Sequence, residues 1–324
     1  MVVVADVMHA QRPVVIAHRG ASGYLPEHTL QAAAYAHALG SDFIEQDLVM
    51  SKDDVLVVLH DIHLDTTTDV AARFPARARA DGRYYAIDFT WEELRTLQVH
   101  ERINLATGQP VFPQRHPLNE GPYRLCSMEE QIRQIQGLNR STGRDVGLYP
   151  EIKAPAWHAS EGKDPGAALL SLLERHGYTG RDANVFVQCF DPAELKRLRF
   201  ELKTTLPLVQ LIADNAWGES TADYEAMRTP AGLREIATYA QGIGPHLSHL
   251  VTGWNQTGSP IFSQLVSDAR ERGLLVHPYT LRLDALPPQV PDPMALLEIV
   301  LHRAQVDGVF IDQPDAAVRW VHSH

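Results

Sequence analysis

Four short clusters of histidine and charged residues each end, or directly follow, an apolar run that is typical of a β-strand. In sequence order the clusters are His18-Arg19, Glu45-Gln46-Asp47, His60-Asp61 and Glu151-Ile152-Lys153. Two histidines can supply the proton acceptor and the proton donor that cleavage of a phosphate ester needs. Carboxylates beside them can hold a cation that polarises a phosphate oxygen. These residue types therefore indicate metal-assisted acid–base chemistry.

The spacing within the clusters supports a shared site. Glu45 and Asp47 are two residues apart, so their side chains point to the same side of a strand, and Glu151 and Lys153 repeat this spacing. Three carboxylates form an oxygen-only ligand set, which suits Ca²⁺ or Mg²⁺ better than zinc. Arg19 and Lys153 could hold the charge that develops on a phosphate group.

Taken alone, each cluster is more often structural, as a turn, a salt-bridged rim or an internal ion pair. Because the four clusters lie at the ends of four successive strands, a common role is favoured. Gln188 and Phe190 lie at the end of the fifth predicted strand, and Tyr279 and Arg282 lie near the end of the eighth. These side chains could contact an organic group, and core packing explains Phe190 equally well. His246 and His249 have helix-like spacing without nearby carboxylates, so we interpret them as surface residues.

The elements that must position these residues alternate between strand and helix patterns. The predicted strands cover residues 14–17, 42–49, 55–59, 147–152, 184–187, 207–212, 242–244, 274–279 and 309–311. The second and third leave no room for a helix between them, which predicts a hairpin. The predicted helices include one that begins with a capping box at Ser127 and one over residues 261–272. The pattern predicts an α/β fold, a distorted (β/α)8 TIM barrel, whose strand ends meet on one face.

One segment interrupts this rhythm directly after the third strand. Residues 61–117 are rich in Arg, Asp, Thr and Pro and show no strong strand period, although a capping-box helix is predicted over residues 90–97. We predict an inserted subdomain here, with the catalytic barrel formed by residues 1–60 and 118–324. Loops that leave strand carboxyl ends lie over a barrel's active site, so the insertion could form one wall of the pocket. A surface decoration is the alternative.

Composition excludes several classes of protein. The 324 residues carry a net charge of −11, with 29 Lys and Arg against 40 Asp and Glu, and show no basic patch that would bind nucleic acid or an anionic membrane. No apolar run approaches the ~18 residues of a membrane span. Cys126 and Cys189 make no disulfide framework, and Cys189 is expected to be buried. Residues 1–10 lack the basic region of a secretion signal, which leaves a cytoplasmic protein or one whose signal was removed.

Residues 18–29, HRGASGYLPEHT, resemble the opening block of the glycerophosphodiester phosphodiesterases, and in particular their long bacterial periplasmic branch. Later blocks of that family are resembled in the same order by residues 45–48, 59–61, 149–153, 187–191, 277–280 and 307–315. Residues 81–89 extend the similarity into the insertion. Single blocks are weakly specific, but the ordered set covers nearly the whole chain.

The resemblance implies a barrel of the phospholipase-C-like phosphodiesterase type and roles for seven residues. In relatives, the residues that match His18 and His60 act as general acid and base. Those that match Glu45, Asp47 and Glu151 bind a divalent cation, and those that match Arg19 and Lys153 contact the phosphate. The cation is expected to be Ca²⁺, with Mg²⁺ as the alternative.

The expected reaction is hydrolysis of glycerophosphocholine, glycerophosphoethanolamine and similar diesters to sn-glycerol 3-phosphate and an alcohol. The expected partner is this small molecule, with no nucleic acid and no membrane insertion, and a homodimer is one expected assembly. The resemblance implies the periplasm, with the cytoplasm as the alternative. Two other functions remain open: a Mg²⁺-dependent lyase or isomerase that stabilises an enolate, and a phosphometabolite-binding protein, which would not need both histidines.

Overall fold

The computed structural model describes residues 12–324. Its strands are β1 Val14–Ala17, β2 Phe43–Met50, β3 Leu56–Val58, β4 Gly147–Ile152, β5 Val187–Cys189, β6 Leu208–Ile212, β7 Gly242–Pro245, β8 Val251–Trp254, β9 Pro260–Phe262, β10 Leu275–Val276 and β11 Gly308–Ile311. Its α-helices are α1 Leu30–Ala38, α2 Val70–Arg73, α3 Trp91–Leu94, α4 Met128–Thr142, α5 Pro155–Ser160, α6 Pro165–Arg175, α7 Pro192–Lys196, α8 Tyr224–Met227, α9 Pro230–Ile236, α10 Leu265–Arg270, α11 Pro293–Leu297 and α12 Pro314–Ser323. Residues 1–10, which were considered as a secretion signal, lie outside the described residues.

Eight parallel strands form a nearly closed barrel, which confirms the predicted TIM-type fold. Their order around the barrel is β1, β2, β4, β5, β6, β7, β10, β11, and β11 pairs again with β1. The chain beyond β10 approaches β11, where Leu281 forms a bridge with Ile311. Every residue of β2 and β4 is buried, as expected for parallel strands that are covered on both faces.

The predicted hairpin between the second and third strands is confirmed, because β3 runs antiparallel to β2. In its register Leu48 lies opposite Val58, and the Leu59 N–H donates to the Asp47 carbonyl at 2.9 Å. The hairpin extends beyond the barrel rim and then returns the chain to the level of Asp47. His60 therefore lies at the same end of the barrel as the β2 carboxylates.

The two predicted capping boxes are present. The Ser127 hydroxyl accepts from the Glu130 N–H and the Glu130 side chain accepts from the Ser127 N–H, which fixes the start of α4. Thr90 and Glu93 do the same at α3. Helix α4 ends at Gly143, whose φ of 72° suits a left-handed C-terminal cap.

A second apolar cluster, separate from the barrel core, lies between the β2–β3 hairpin and residues 64–125. Val49, Val57 and Leu59 of the hairpin region share it with buried side chains such as Phe89 and Leu94. Single bridges rather than strands join this segment, which explains its weak periodicity. The division at residues 61 and 117 stays a prediction.

The predicted helix over residues 261–272 is wrong at its start. Residues 260–262 form β9, which pairs antiparallel with β8, and α10 begins only at Leu265. The partner strand lies beyond a turn at residues 255–259, so the local apolar spacing did not reveal the pairing. Among residues 12–324, no helix has both the length and the apolar character needed to cross a membrane.

Candidate active site

A cavity of about 220 Å³ opens among the carboxyl ends of the barrel strands. Its walls contain the eleven residues that the sequence singled out as site candidates: His18, Arg19, Glu45, Asp47, His60, Glu151, Lys153, Gln188, Phe190, Tyr279 and Arg282. The barrel topology brings together side chains that are up to 264 positions apart along the chain, from residue 18 to residue 282. These residues line one cavity, and their individual roles stay predictions.

The carboxylates of β2 and β4 form the floor of this cavity. The parallel register places Asp47 beside Glu151, so the two side chains leave neighbouring strands in the same direction. One ring nitrogen of His28 and one oxygen each of Glu45 and Asp47 lie within 4.8 Å of one another. Asp47 Oδ1 is buried and has no hydrogen-bond partner within the described residues.

The three carboxylates differ in how readily they ionise. Although burial opposes ionisation of Asp47, His60, Lys153 and the hydrogen bond from His28 hold its pKa well below the ordinary value. Burial and the neighbouring Asp47 raise the pKa of Glu45 well above its ordinary value. Burial also raises the pKa of Glu151 to about 8, because the attraction of Lys153 offsets it only in part. A divalent cation would favour the ionised forms of Glu45 and Glu151, and Asp47 would offer it the oxygen Oδ1, which has no hydrogen-bond partner within the described residues. The donor set therefore fits a divalent cation.

His28, which the sequence analysis did not single out, is buried and holds Asp47 in place. Its Nε2 lies 2.7 Å from Asp47 Oδ2. Because a carboxylate oxygen can only accept, Nε2 carries the proton, and His28 acts here as a donor that orients a carboxylate.

Arg19 is fixed by backbone and side-chain contacts. Its backbone has φ 56°, a left-handed conformation that is strained for this residue, and its N–H donates to Glu45 Oε2 at 2.6 Å. Its guanidinium donates to both oxygens of Glu27. Gly20, at φ +80°, needs to be glycine because a Cβ would lie 2.8 Å from the Ala32 carbonyl carbon.

Lys153 connects the carboxylates with one of the histidines. Its Nζ lies 2.8 Å from Glu151 Oε1 and 3.5 Å from His60 Nε2. The ammonium also lies 5.5 Å from the centre of the Phe190 ring. Although burial opposes the charged form, Glu151 and Asp47 raise the pKa of Lys153 above its ordinary value, so it stays cationic.

The first histidine is held by a carboxylate and an arginine. His18 Nδ1 lies 2.6 Å from Asp312 Oδ1, and Arg115 Nη2 donates to Asp312 Oδ2 at 2.7 Å. Burial opposes ionisation of Asp312, but His18 and the nearby guanidinium groups hold its pKa below the ordinary range. Burial and the charge of Arg19 lower the pKa of His18 to about 4.

The second histidine repeats this arrangement. His60 Nδ1 lies 2.5 Å from Asp61 Oδ1, and Arg102 Nη1 donates to Asp61 Oδ2 at 2.7 Å. Burial and the charges of Arg19 and Lys153 lower the pKa of His60 to about 3. Both rings are therefore neutral at pH 7 and carry their proton on Nδ1, so the lone pair of each ring lies on Nε2, which in His60 faces Lys153 Nζ.

Sequence reasoning missed Asp312, Arg115 and Arg102. Asp312 directly follows the last strand, so the strand-end signal that identified the other carboxylates also applied to it. Arg102 and Arg115 lie in the predicted insertion, where no periodicity indicates which side chains turn toward the barrel.

The residues that were predicted to contact an organic group also line the cavity. Gln188 is buried and its Oε1 has no partner within the described residues. The rings of Phe190 and Tyr279 meet edge to face at 5.7 Å, and the Tyr279 hydroxyl donates to the Ile212 carbonyl. These contacts allow either packing or substrate contact.

The interpretation of His246 and His249 as surface residues was wrong. His249 is buried, and His246 is half-buried in the cavity wall, where its ring meets that of Trp217 at 4.9 Å. Sequence spacing missed this because the segment forms a short 3₁₀ turn after β7 instead of an exposed helix. Trp217 and Glu219 complete the outer rim of the cavity.

A nearly closed β/α barrel with two histidines, a carboxylate cluster and buried cationic side chains at its strand ends defines a barrel enzyme for an anionic substrate. The sequence profile described as "Glycerophosphoryl diester phosphodiesterase family" matches residues 18–316, and the chain belongs to this family. A glycerophosphodiester phosphodiesterase of Haemophilus influenzae is 42% identical over 95% of this chain and 89% of its own length. One of Treponema pallidum is 37% identical over 96% and 92%.

Solved structures share the fold at lower identity. A glycerophosphoryl diester phosphodiesterase structure from Silicibacter pomeroyi has a TM-score of 0.73 at 23% identity, covering 97% of this chain and 95% of that one. A phosphodiesterase of Oleispira antarctica, solved with the product sn-glycerol-3-phosphate, has a TM-score of 0.64 at 20% identity, covering 97% and 98%. These structural similarities show the barrel fold independently of the sequence comparisons.

Proposed function

We propose that this enzyme hydrolyses glycerophosphodiesters, among them glycerophosphocholine and glycerophosphoethanolamine, to sn-glycerol 3-phosphate and an alcohol. The observation that carries the proposal is the pair of neutral histidines, each held through Nδ1 by a carboxylate, beside a cluster of three buried carboxylates. The names of the H. influenzae and T. pallidum relatives support the substrate class.

The two histidines act as base and acid. One Nε2 accepts the proton of the attacking hydroxyl, and the other, once protonated, donates to the leaving alcohol oxygen. A bound phosphodiester anion stabilises the protonated ring beside it and so raises the low pKa of that ring. Asp312 and Asp61 hold the rings in the tautomer that this exchange needs.

The proposed nucleophile is the glycerol 2-hydroxyl, which attacks phosphorus and gives a cyclic phosphate that water then opens. This route is supported by the cavity wall, which contains no serine or cysteine among the described residues. Its side-chain hydroxyl groups are those of Thr280 and of Tyr279, which donates to the Ile212 carbonyl. A 2-deoxy analogue of the substrate is expected to bind without turnover. Normal hydrolysis of this analogue would show that water attacks directly.

Glu45, Asp47 and Glu151 would hold the divalent cation, which we propose to be Ca²⁺, with Mg²⁺ as the alternative. When bound, the cation polarises a non-bridging phosphate oxygen. Arg19 and Lys153 balance the phosphate charge from the protein side, and their contacts with Glu27 and Glu151 keep both cationic groups in place.

The rim of the cavity supports a cationic head group. Glu219 is exposed and, among residues 12–324, forms no ion pair, and Trp217 beside it is 48% exposed. A carboxylate and an aromatic face together attract an ammonium or trimethylammonium group. Choline and ethanolamine esters fit this rim better than esters of an anionic alcohol.

The decisive experiment measures release of glycerol 3-phosphate from glycerophosphocholine, with and without a chelator. We expect turnover that the chelator abolishes and Ca²⁺ restores. Binding without turnover in Ca²⁺ would favour a phosphometabolite-binding protein, and proton exchange on a carbon acid would favour an enolate-forming enzyme. The periplasmic location, which depends on the resemblance alone, and the homodimer both stay predictions.

A further inference from the structure

One arginine of the predicted insertion reaches the carboxylates that hold two different groups of the active site. Arg102 donates from Nε and Nη2 to the two oxygens of Glu27, at 3.1 and 2.7 Å, and from Nη1 to Asp61 Oδ2, at 2.7 Å. All three of its side-chain nitrogens are therefore in use, and the side chain is 17% exposed. Glu27 lies in the loop after β1 and Asp61 directly after the β2–β3 hairpin, so Arg102 joins two separate parts of the chain.

The backbone around Arg102 is held on both sides. The Ile103 N–H donates to the Thr66 carbonyl at 3.0 Å, and the Val111 N–H donates to the Arg102 carbonyl at 2.8 Å. A bridge between Ile103 and Pro110 closes the loop that follows. The guanidinium therefore extends from a fixed point of the backbone.

The first partner of Arg102 is the carboxylate that orients His60. Asp61 Oδ1 lies 2.5 Å from His60 Nδ1, while Asp61 Oδ2 accepts from Arg102 and from the Thr66 hydroxyl, both at 2.7 Å. Burial opposes ionisation of Asp61, but His60 and Arg102 hold its pKa below the ordinary range. Because Thr66 is uncharged, Arg102 supplies the positive charge at the oxygen that His60 does not contact.

The second partner is the carboxylate that orients Arg19. Arg19 Nη1 donates to both oxygens of Glu27, at 3.1 and 3.0 Å, so this carboxylate is shared by two guanidinium groups. Burial opposes ionisation of Glu27, but Arg102 and Arg19 hold its pKa well below the ordinary value. The direction of the Arg19 guanidinium therefore depends on where Arg102 holds Glu27.

These contacts need an arginine. A guanidinium is planar and its donors point in fixed directions, so it can bind one carboxylate with two nitrogens while the third reaches another. A lysine ammonium is a compact charge on a flexible chain and cannot fix two carboxylates in this way.

We propose that Arg102 is a positioning residue that fixes His60, through Asp61, and Arg19, through Glu27, in one common geometry. The inference rests on the proposed function, in which His60 exchanges a proton and Arg19 balances the phosphate charge. Since a misplacement of about 1 Å can slow an enzyme ~10²-fold, one side chain that sets both groups has a direct effect on turnover. The alternative is that Arg102 only attaches the predicted insertion to the barrel.

The first test replaces Arg102 by lysine, which keeps the charge but not the planar fork. We expect Arg102→Lys to lower kcat for glycerophosphocholine ~10- to 100-fold, the usual effect of losing a hydrogen bond to a charged group. KM is expected to rise about 3- to 5-fold, because Arg19 keeps its contact with Glu27 and loses only the fixed direction of that carboxylate.

Arg79→Lys is the matched control. Arg79 also uses all three side-chain nitrogens to join two carboxylates, those of Asp88 and Glu161, and so links the predicted insertion to the barrel outside the cavity wall. Arg79→Lys should leave kcat and KM unchanged even where it lowers the free energy of unfolding. Equal kinetic losses in the two variants, or an unchanged kcat in Arg102→Lys, would overturn the proposal.

The second test is a double-mutant cycle that asks whether Arg102 acts through Asp61. In an Asp61→Asn background, Arg102→Lys should change kcat by less than ~3-fold, because the link to His60 is already broken. Its effect on KM should persist in this background and disappear in a Glu27→Gln background, which breaks the link to Arg19. Losses in kcat that multiply independently in the Asp61→Asn background would contradict the proposal.

The wild type and a further variant separate the remaining outcomes. If wild-type enzyme with Ca²⁺ releases no choline from glycerophosphocholine, the proposed function fails and this inference fails with it. If the wild type is active and Arg102→Lys matches Arg79→Lys, this inference alone fails. If circular dichroism shows that Arg102→Lys does not fold, Glu27→Gln carries the test, since Arg102 then loses one of its two carboxylates. We expect Glu27→Gln to lower kcat as well as raise KM, and a normal kcat in this folded variant would overturn the proposal.

Discussion

Replacing Asp312 by asparagine tests how the protein controls the proton on His18. The carboxylate accepts from His18 at Oδ1 and from Arg115 at Oδ2, at 2.6 and 2.7 Å. An asparagine has one accepting oxygen, and a guanidinium can only donate, so that oxygen must face Arg115. The amide nitrogen then faces His18 Nδ1 as a donor. The ring must shift its proton to Nε2, where the lone pair for catalysis had been.

The expected magnitude follows from two contributions. Loss of a hydrogen bond to a charged group costs about 1.5–3 kcal/mol, which corresponds to roughly 10- to 100-fold in rate. Loss of general acid or base function costs about 10²–10⁴-fold. Because both describe the same ring, we expect kcat to fall ~10²–10⁴-fold with little change in KM. The carboxylate also raises the pKa of His18, so any acidic limb that His18 governs should move to lower pH.

The assay is choline release from glycerophosphocholine over a range of pH, with folding checked by circular dichroism. Asp284→Asn is the matched control, because Asp284 is the other carboxylate that accepts from Arg115, at 2.7 and 3.0 Å, and it does not contact His18. A loss of less than ~10-fold in the Asp312 variant, or an equal loss in the control, would refute the reasoning.

Three further predictions concern single carboxylates. Glu151→Gln should raise the Ca²⁺ concentration for half-maximal activity by ~10-fold or more with the fold intact, and an unchanged midpoint would contradict its role as a ligand. Glu101 is 3% exposed, and burial and Glu27 raise its pKa to about 8 from 4.5, so its ionisation destabilises the folded state increasingly as pH rises through this window. Glu101→Gln should therefore raise the free energy of unfolding by roughly 3–5 kcal/mol at about pH 9 and by nothing below about pH 4, and a pH-independent difference would be inconsistent with this. Glu219→Gln should lower kcat/KM for glycerophosphocholine relative to glycerophosphoglycerol by ~5-fold, from loss of one exposed charge contact, whereas Glu225→Gln, an exposed control on the same segment, should leave this ratio unchanged.

The sequence by itself determined the barrel and the residue types at its mouth. Strand and helix periodicity are local properties, and parallel strands necessarily end on one face, so His18, Glu45, Asp47 and Glu151 could be assigned to a common pocket. The hairpin at residues 43–58 followed from the lack of room for a helix. The similarity to a known family then supplied the glycerol part of the substrate, which no residue pattern indicates by itself.

Only the tertiary structure decided how those groups are held. Asp312 lies 294 positions from His18, and Arg102 and Arg115 come from a segment without periodicity, so no local pattern pairs them with the histidines. Burial of His249 and the pairing of β8 with β9 depended on packing between distant segments in the same way. Such features depend on which surfaces the folded chain brings into contact, and sequence spacing reports only the neighbours along one element.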